Sequence, residues 1–478
     1  MAKTITIDPV TRIEGHAKIS VYLNDRGEVE DAQFHVTQFR GFEKFTEGRR
    51  FEEMPSITAR ICGICPVSHL MASGQACDDL LGVEVPPAAR KLRQLLNLGQ
   101  YVQSHALSFF HLSAPDLLLG MDAPIPERNV LGLATKFPEP AKNGIWLRKF
   151  GQQIIERLAG KRIHPMWMVP GGVSSPLKPA DRDEILRDIP RAIEISRSTI
   201  DLFKGATAKF LPEIESFGNF PSLFLSLVTP EGNLEHTFGN FRVVDEHRKR
   251  IADQIPPRAY SEYIGEAGTS FSYLKAPYFK PLGFPGGFYR VGPLARLNAC
   301  DRCGTPRADA ELALFRELGA AQGGSVWGSF YYHYARLIEI LFALERIEQI
   351  LADSEILSSH VRASASPNRR EGVGISEAPR GILIHHYRIN DDGQITWANL
   401  IVATGHNNLA MNRGVKEVAQ RFVHGERLSE GALNRVEALI RCYDPCLSCS
   451  THAFGQMPIQ IVLLAPDGHV LDSCHRKG

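Results

Sequence analysis

The chain has 478 residues, of which 44% are hydrophobic and 22% charged, and its formal net charge is +1. That length allows roughly two to four domains or one large interlocked unit. The even charge balance offers no global field for nucleic acid or an anionic membrane, and no apolar run is long enough to span a bilayer. The start, Met1-Ala2-Lys3-Thr4-Ile5-Thr6-Ile7-Asp8, lacks the apolar stretch of a signal peptide, so a cytoplasmic protein without membrane insertion is expected.

Residues 1–60 read as β-rich. Residues 5–7 and 17–23 alternate, Asn24-Asp25-Arg26-Gly27 is a turn signal, and residues 29–37 fit a further strand. Residues 67–81 have helical periodicity, although Gly74 weakens it. Pro86-Pro87 opens a long helical segment to about residue 112. Residues 179–210, with a break at Pro190, and 308–358 read as further long helices. Leu337, Ile338, Ile340, Leu341, Leu344, Ile347 and Ile350 form a stripe that suits a buried bundle core. Residues 255–306, rich in Pro, Gly and aromatics, read as irregular. Residues 381–403 read as a hairpin around Asn390-Asp391-Asp392-Gly393, residues 415–423 and 428–441 as helices, and 457–473 as a second hairpin.

The expected fold is therefore α+β: mainly α, with β-rich N- and C-terminal segments and a large helical bundle around a buried metal site. Its expected parts are a β-rich segment at 1–60 and a helical core at 61–380. A hairpin with a metal-binding segment at 381–452 and an extension at 453–478 follow.

The metal expectation comes from the cysteines. Six of the nine fall in three Cys-x-x-Cys pairs, and two pairs are followed by histidine: Cys62-Gly63-Ile64-Cys65-Pro66-Val67-Ser68-His69 and Cys446-Leu447-Ser448-Cys449-Ser450-Thr451-His452. In a chain without a secretion signal, such pairs point to metal or redox chemistry rather than structural disulfides. Thiolates suit zinc, copper(I), nickel and iron–sulfur centres. A structural zinc site is the plain alternative. Against it, structural zinc usually staples a local loop, and these pairs lie at opposite ends of the chain. A Cys-x-x-Cys ahead of a helix also puts its thiols near backbone N–H groups and the positive helix end, which favours thiolate.

Four motifs carry a resemblance: Arg12-Ile13-Glu14-Gly15-His16, the Arg60–His69 segment, Glu377-Ala378-Pro379-Arg380-Gly381, and Asp444-Pro445-Cys446 through His452. Together they resemble the large subunit of nickel–iron hydrogenases, in the family's order, with wording most like the soluble, NAD-reducing bidirectional subgroup. The resemblance implies reversible heterolytic cleavage of H2 at a nickel–iron centre whose iron carries carbon monoxide and cyanide. Cys62 and Cys446 would be terminal nickel ligands; Cys65 and Cys449 would bridge to iron. His69 would hydrogen-bond a bridging sulfur. Glu14, by itself a plausible surface residue, would be the first proton acceptor beside Cys446. Arg380 would lie over the open metal position, paired with Asp444 and Asp116. Arg380, Thr404 and Pro379 would form the cyanide pocket. Glu43, His452 and the carbonyl of Leu400 would hold magnesium.

The resemblance also implies an iron–sulfur small subunit, because this chain has no further cysteine run for a relay. Diaphorase subunits carrying FMN and using NAD, and a maturation protease cutting after His452, follow from the same likeness. Two departures stand out. Ala403-Thr404-Gly405-His406-Asn407 lacks the family's Pro-Thr-x-Trp-Asn. Cys300 and Cys303 match no family motif; of a minor redox pair, a zinc half-site and plain packing, packing is the first expectation. The competing reading is a non-catalytic, zinc-bound scaffold in a redox complex.

Overall fold

The computed structural model describes residues 3–321, 323–424, 429–451, 459–464 and 470–476. The N-terminal strands Lys3–Ile7, Ala17–Leu23 and Val29–Val36 form an antiparallel sheet in chain order. Their turn works as its residues predict: Asn24 Oδ1 accepts from the N–H groups of Arg26 at 2.9 Å and Glu28 at 3.0 Å, and Gly27 takes φ +76°.

The helical core follows. Helix Pro66–Leu81 is capped by Gly82 in the left-handed region. Helix Pro87–Ala106 continues as the π-helical segment Leu107–Ser113, so the expected long helix is present with a widened end. Helix Pro138–Ala159, which the pattern did not reveal, packs against it. Helix Pro179–Thr207 runs unbroken through Pro190. Ile185, Ile189 and Ile193 are buried on both sides of that proline, so packing holds the two halves in line despite the missing hydrogen bond. The stretch expected as one helix at 308–358 is two, Pro306–Ala320 and Tyr332–Ala352. Gly323 and Gly324, both at positive φ, divide it. The Tyr332–Ala352 stripe is buried as expected.

Residues 255–306 are not irregular. They contain strands Ile264–Thr269, Ser272–Phe279 and Tyr289–Arg290 and helix Pro293–Ala299. Tyr289–Arg290 pairs parallel to Leu223–Val228 at the edge of a sheet completed by Asn240–Val244 and Arg250–Ile255. Proline and glycine here delimit short elements instead of abolishing them.

A three-stranded sheet, Glu371–Ala378, Gly381–Ile389 and Ile395–Ile401, lies against helix Pro66–Leu81. The expected hairpin is its second half, turned by Asn390, whose Oδ1 accepts from Asp392 and Gln394 N–H. Its first turn is tighter: Ala378 pairs with Gly381, leaving Pro379 and Arg380 at the apex. Helices Asn408–Phe422 and Glu430–Tyr443 lead to the last cysteine pair. Strands Ile459–Leu464 and Val470–Arg476 pair antiparallel, as the second hairpin requires. The α+β class is that expected. Among the described residues, no helix is long and apolar enough to cross a membrane.

Strand Glu371–Ala378 approaches helix Pro66–Leu81 through glycine. A Cβ on Gly374 would come within 2.0 Å of Ala72 O and 2.3 Å of Ala76 N. Gly374→Val is therefore expected to destabilise the fold by about 3 kcal/mol, the upper range for overpacking. A melting temperature equal to that of the parent would remove the close approach as a constraint.

Candidate metal centre

Each end of the chain delivers its two cysteines through a specific local device. After the short turn Ala59–Ile61, Cys62 is extended, and Cys65 caps helix Pro66–Leu81. The chain thus curls around one sulfur: the N–H groups of Ile64 and Cys65 both donate to Cys62 Sγ at 3.2 Å. At the other end, Asp444 takes φ +52° to terminate helix Glu430–Tyr443, and Cys446 opens the helical turn Leu447–Ser450.

The two ends are then laced together. Glu14 bridges Cys446 in parallel β fashion. Its carbonyl accepts from Leu447 N–H at 3.2 Å and its Oε2 from Ser448 N–H at 3.0 Å. Gly15, at φ +87°, permits this approach, since a Cβ would meet Leu447 Cβ at 2.7 Å. Thr404 Oγ1 accepts the Cys446 N–H at 2.8 Å. Beyond the pair, Thr451 O accepts from Arg40 N–H at 2.9 Å.

The outcome is four buried sulfurs, all within 4.8 Å of one another. Cys62 Sγ lies 3.3 Å from Cys446 Sγ, Cys65 Sγ 3.6 Å from Cys449 Sγ, and Cys446 Sγ 2.9 Å from Cys449 Sγ. Hydrogen bonds from the thiols of Cys446, Cys449 and Cys65 hold Cys62 well below the usual thiol range, against burial and with help from Arg380. Burial pushes Cys446 and Cys449 well up. Four sulfurs at this spacing can lose their protons together only beside compensating positive charge, and soft metal cations supply it. The residues therefore fit a thiolate-bound metal centre.

Arg380 is fully buried at the apex of its hairpin. Its Nε donates to Asp444 O at 2.6 Å, and its Nη2 meets Asp444 Oδ1 at 3.2 Å and Oδ2 at 3.1 Å. Burial opposes its charge, but Asp444 and the cysteine sulfurs outweigh that and hold it ionised. His69 lies one helical turn beyond Cys65 on the same face, and its Nδ1 is 3.2 Å from His385 Nε2.

The expected Asp116–Arg380 pair is not formed. Asp116 instead binds Arg12 and meets Arg441 Nη1 at 2.9 Å, Asn434 Nδ2 at 3.0 Å and Arg128 Nε at 3.6 Å. Burial raises its carboxyl, but Arg441 and Arg12 win and hold it below the usual range. It ties the N-terminal segment to helix Glu430–Tyr443, and of the two expected carboxylates Asp444 is the one that pairs with Arg380. The predicted magnesium set is incomplete among the described residues. Glu43 is half-buried in helix Phe42–Phe45, which packs on the strand carrying Leu400, and His452 lies outside the described residues. Cys300 and Cys303 are buried in the main core, with their thiols in hydrogen-bonding contact, and join no group of three or more metal ligands among the described residues. Cys77 and Cys442 are likewise buried.

The nickel-dependent hydrogenase family model matches residues 40–123 and 235–452, and a HoxL-like model matches residues 4–39. The chain belongs to the nickel-dependent hydrogenase family. As the large component of a nickel–iron hydrogenase it is an enzyme, which removes the zinc-scaffold alternative. It is similar to the NAD-reducing hydrogenase HoxS subunit beta of Cupriavidus necator, at 41% identity over 99% of each chain. It is 40% identical to a component of the F420-non-reducing hydrogenase vhu of Methanocaldococcus jannaschii, over 87% of this chain and 98% of that one. In structure it resembles an NAD+-reducing [NiFe]-hydrogenase in the H2-reduced state, with a TM-score of 0.91, 44% identity, and 94% of this chain and 99% of that one covered.

One cluster beneath the hydrogenase centre was not visible in the sequence. Arg296, Glu339, Glu377, His105, His236 and Tyr101 form a fully buried polar group. Burial pushes the Glu377 carboxyl up to about 7, against the pull of Arg296. The folded chain then holds a proton there that the unfolded chain releases near 4.5. Stability from this group is thus complete below pH 4.5 and is lost as pH rises through 7. Relative to Glu377→Gln, the parent is expected to lose about 3 kcal/mol over that window. Denaturant titrations of both proteins at several pH values measure the difference. Parallel pH curves would contradict the raised carboxyl.

Proposed function

We propose that this hydrogenase subunit cleaves H2 reversibly and heterolytically, with Glu14 taking the proton from the Cys446 side of the centre. The observation that carries the reading is the contact of Glu14 with residues 446–448, which sets a carboxylate one residue step from a metal-ligand sulfur. The nickel–iron centre, held by Cys62, Cys65, Cys446 and Cys449, supplies H2 activation when bound.

The chain's own groups do the rest. Glu14 is half-buried, between the sulfur pocket and the exposed His16, and a carboxylate so located can accept and release protons. Arg380 cannot give up its proton readily, so its work is electrostatic: a fixed cation facing the sulfurs. Thr404 accepts from Cys446 N–H through its oxygen, which leaves its hydroxyl proton able to donate into the pocket. With Arg380 and Pro379 it offers the donors and wall that cyanide ligands on iron require. His69 would donate to a bridging sulfur, and Glu43, Leu400 O and His452 would hold magnesium.

Electrons leave to an iron–sulfur small subunit, in our reading, and then through an FMN-bearing diaphorase to NAD in the cytoplasm. An open cleft of about 920 Å³ beside the first cysteine pair is compatible with a docked partner. Arg40, Phe42, Phe45, Arg49, Arg60 and Met166 line it, and Phe45 and Met166 are 58% and 55% exposed. Exposed apolar groups rimmed by charge are characteristic of interfaces. Residues 453–478 would be removed after His452 during maturation, following metal insertion, and the cleavage would let the 446–452 segment close.

Infrared spectroscopy and intact mass of one purified complex test the ligand and maturation readings together. One carbonyl band and two cyanide bands that move under H2 are expected, on a chain ending at His452. A nickel- and iron-loaded protein without those bands would refute the ligand assignment, and an active chain retaining 453–478 would refute the cleavage. Glu14→Gln is expected to lower H2 production and H/D exchange by at least ~100-fold, the usual scale for a lost proton-transfer group. The same bands should persist in that variant. Unimpaired exchange would remove Glu14 from the proton route.

A further inference from the structure

The Glu377–Gly381 hairpin has to present Arg380 to four sulfurs from an apex of only two residues, Pro379 and Arg380. Something must fix the peptide groups of that apex, because the side chain's aim depends on them. Asp444 holds the far end of Arg380. The near end is held by a second, deeper arginine.

Arg296 comes from helix Pro293–Ala299 and is completely buried. A guanidinium has five N–H donors, and in Arg296 all five are engaged. Nε meets Glu339 Oε1 at 2.5 Å, and Nη2 meets Glu339 Oε2 at 2.7 Å, a two-pronged pair. One Nη1 proton goes to Glu377 Oε2 at 2.7 Å. The remaining two donors go to the main chain of the apex: Nη1 to Ala378 O and Nη2 to Pro379 O, both at 3.0 Å. Tyr101 OH adds a second donor to Ala378 O at 2.9 Å, and its ring lies under the guanidinium at 5.3 Å. His105 Nε2 backs Glu339 Oε2 at 2.8 Å, and Leu227 N–H backs Glu377 Oε1 at 3.0 Å.

Burying an arginine with two carboxylates stabilises a fold no better than a well-packed apolar core of the same volume. What such a network contributes is geometry. Here it grips two consecutive carbonyls immediately before Arg380, and no other described feature of the hairpin apex is held so completely.

We propose that Arg296, backed by Tyr101, is a positioning residue of the hydrogenase centre: it clamps the Ala378 and Pro379 carbonyls and thereby fixes where the Arg380 guanidinium stands over the four cysteines. The proposal rests on the nickel–iron ligand reading above and adds to it a residue that touches neither metal nor sulfur. Glu339 neutralises Arg296, and Glu339 and Glu377 together orient it. Lysine at the same position would keep the charge but, with three donors instead of five and no planar fork, could not hold both carboxylates and both carbonyls.

The test compares the carbonyl and cyanide infrared bands of purified complexes with equal nickel and iron content. Arg296→Lys is expected to move or broaden the bands in the parent background and to cause no further change in an Arg380→Lys background, because it acts through Arg380. Tyr101→Phe, which removes one donor to Ala378 O and no charge, is expected to move the same bands in the same direction by less. It carries the test if Arg296→Lys yields no metal-loaded protein. Bands at parental positions in both variants would overturn the proposal, since a merely structural role lowers yield and metal content without altering the loaded fraction. An equal Arg296→Lys effect in the Arg380→Lys background would overturn it as well. A parental complex with no such bands would instead bring down the ligand reading, and the clamp with it.

Discussion

The contact between Glu14 and residues 446–448 closes this chain on itself. Everything chemical depends on it, because two of the four sulfurs are contributed by each end. The closure is made mostly of backbone: a β-bridge, two N–H groups turned toward Glu14, and a glycine that lets Leu447 approach. Around it stand side-chain locks that join the same two ends. Thr11 and Arg441 share the Glu437 carboxylate, and Asp116 joins Arg12 to Arg441. Glu437 and Arg441 stand on helix Glu430–Tyr443 and Asp116 on the helical segment Pro115–Leu119, while Thr11, Arg12 and Glu14 lie in the irregular stretch between the first two strands.

Charge is handled in two layers. Near the sulfurs, Arg380 is offset by Asp444 and by the cysteines themselves. Below them, Arg296 is offset by Glu339, held well below the usual carboxylate range although burial opposes it. His105, lowered by burial to about 3, is neutral at physiological pH and can serve Glu339 as a donor without adding charge. The layers meet at the Ala378–Gly381 turn, so one hairpin transmits the deep network's rigidity to the group facing the metals.

What could be read from the sequence was local. The cysteine pairs, the Asn24–Gly27 and Asn390–Gly393 turns and the Pro66–Leu81 helix each carry their signal within a few residues. The nonlocal partners did not show. Asp116 was expected on Arg380, but any of several buried arginines could have answered a lone aspartate, and only the packing of helix Glu430–Tyr443 selects Arg441. Arg296 lay in a stretch that proline and glycine made look irregular, and its partners come from other, distant segments of the chain. Pro190 misled for the same reason: local chemistry argues for a break, and tertiary burial overrides it. Thr404, set within a departure from the family's wording, nevertheless receives the Cys446 N–H.

Cys62 and Cys446, the two cysteines expected as terminal nickel ligands, are not equivalent, and the difference bears on where a proton could go. Cys62 Sγ accepts two backbone N–H groups, from Ile64 and Cys65. Such donors stabilise a thiolate and make it a poor base. Cys446 Sγ, among the described hydrogen bonds, meets only other sulfurs, and its own N–H is spent on Thr404. It is therefore the sulfur with more to gain from a proton. It is also the one whose backbone lies against Glu14. In the proposed reading, proton affinity and proton exit would coincide on the C-terminal side, while Cys62, just ahead of a long helix, is held toward thiolate.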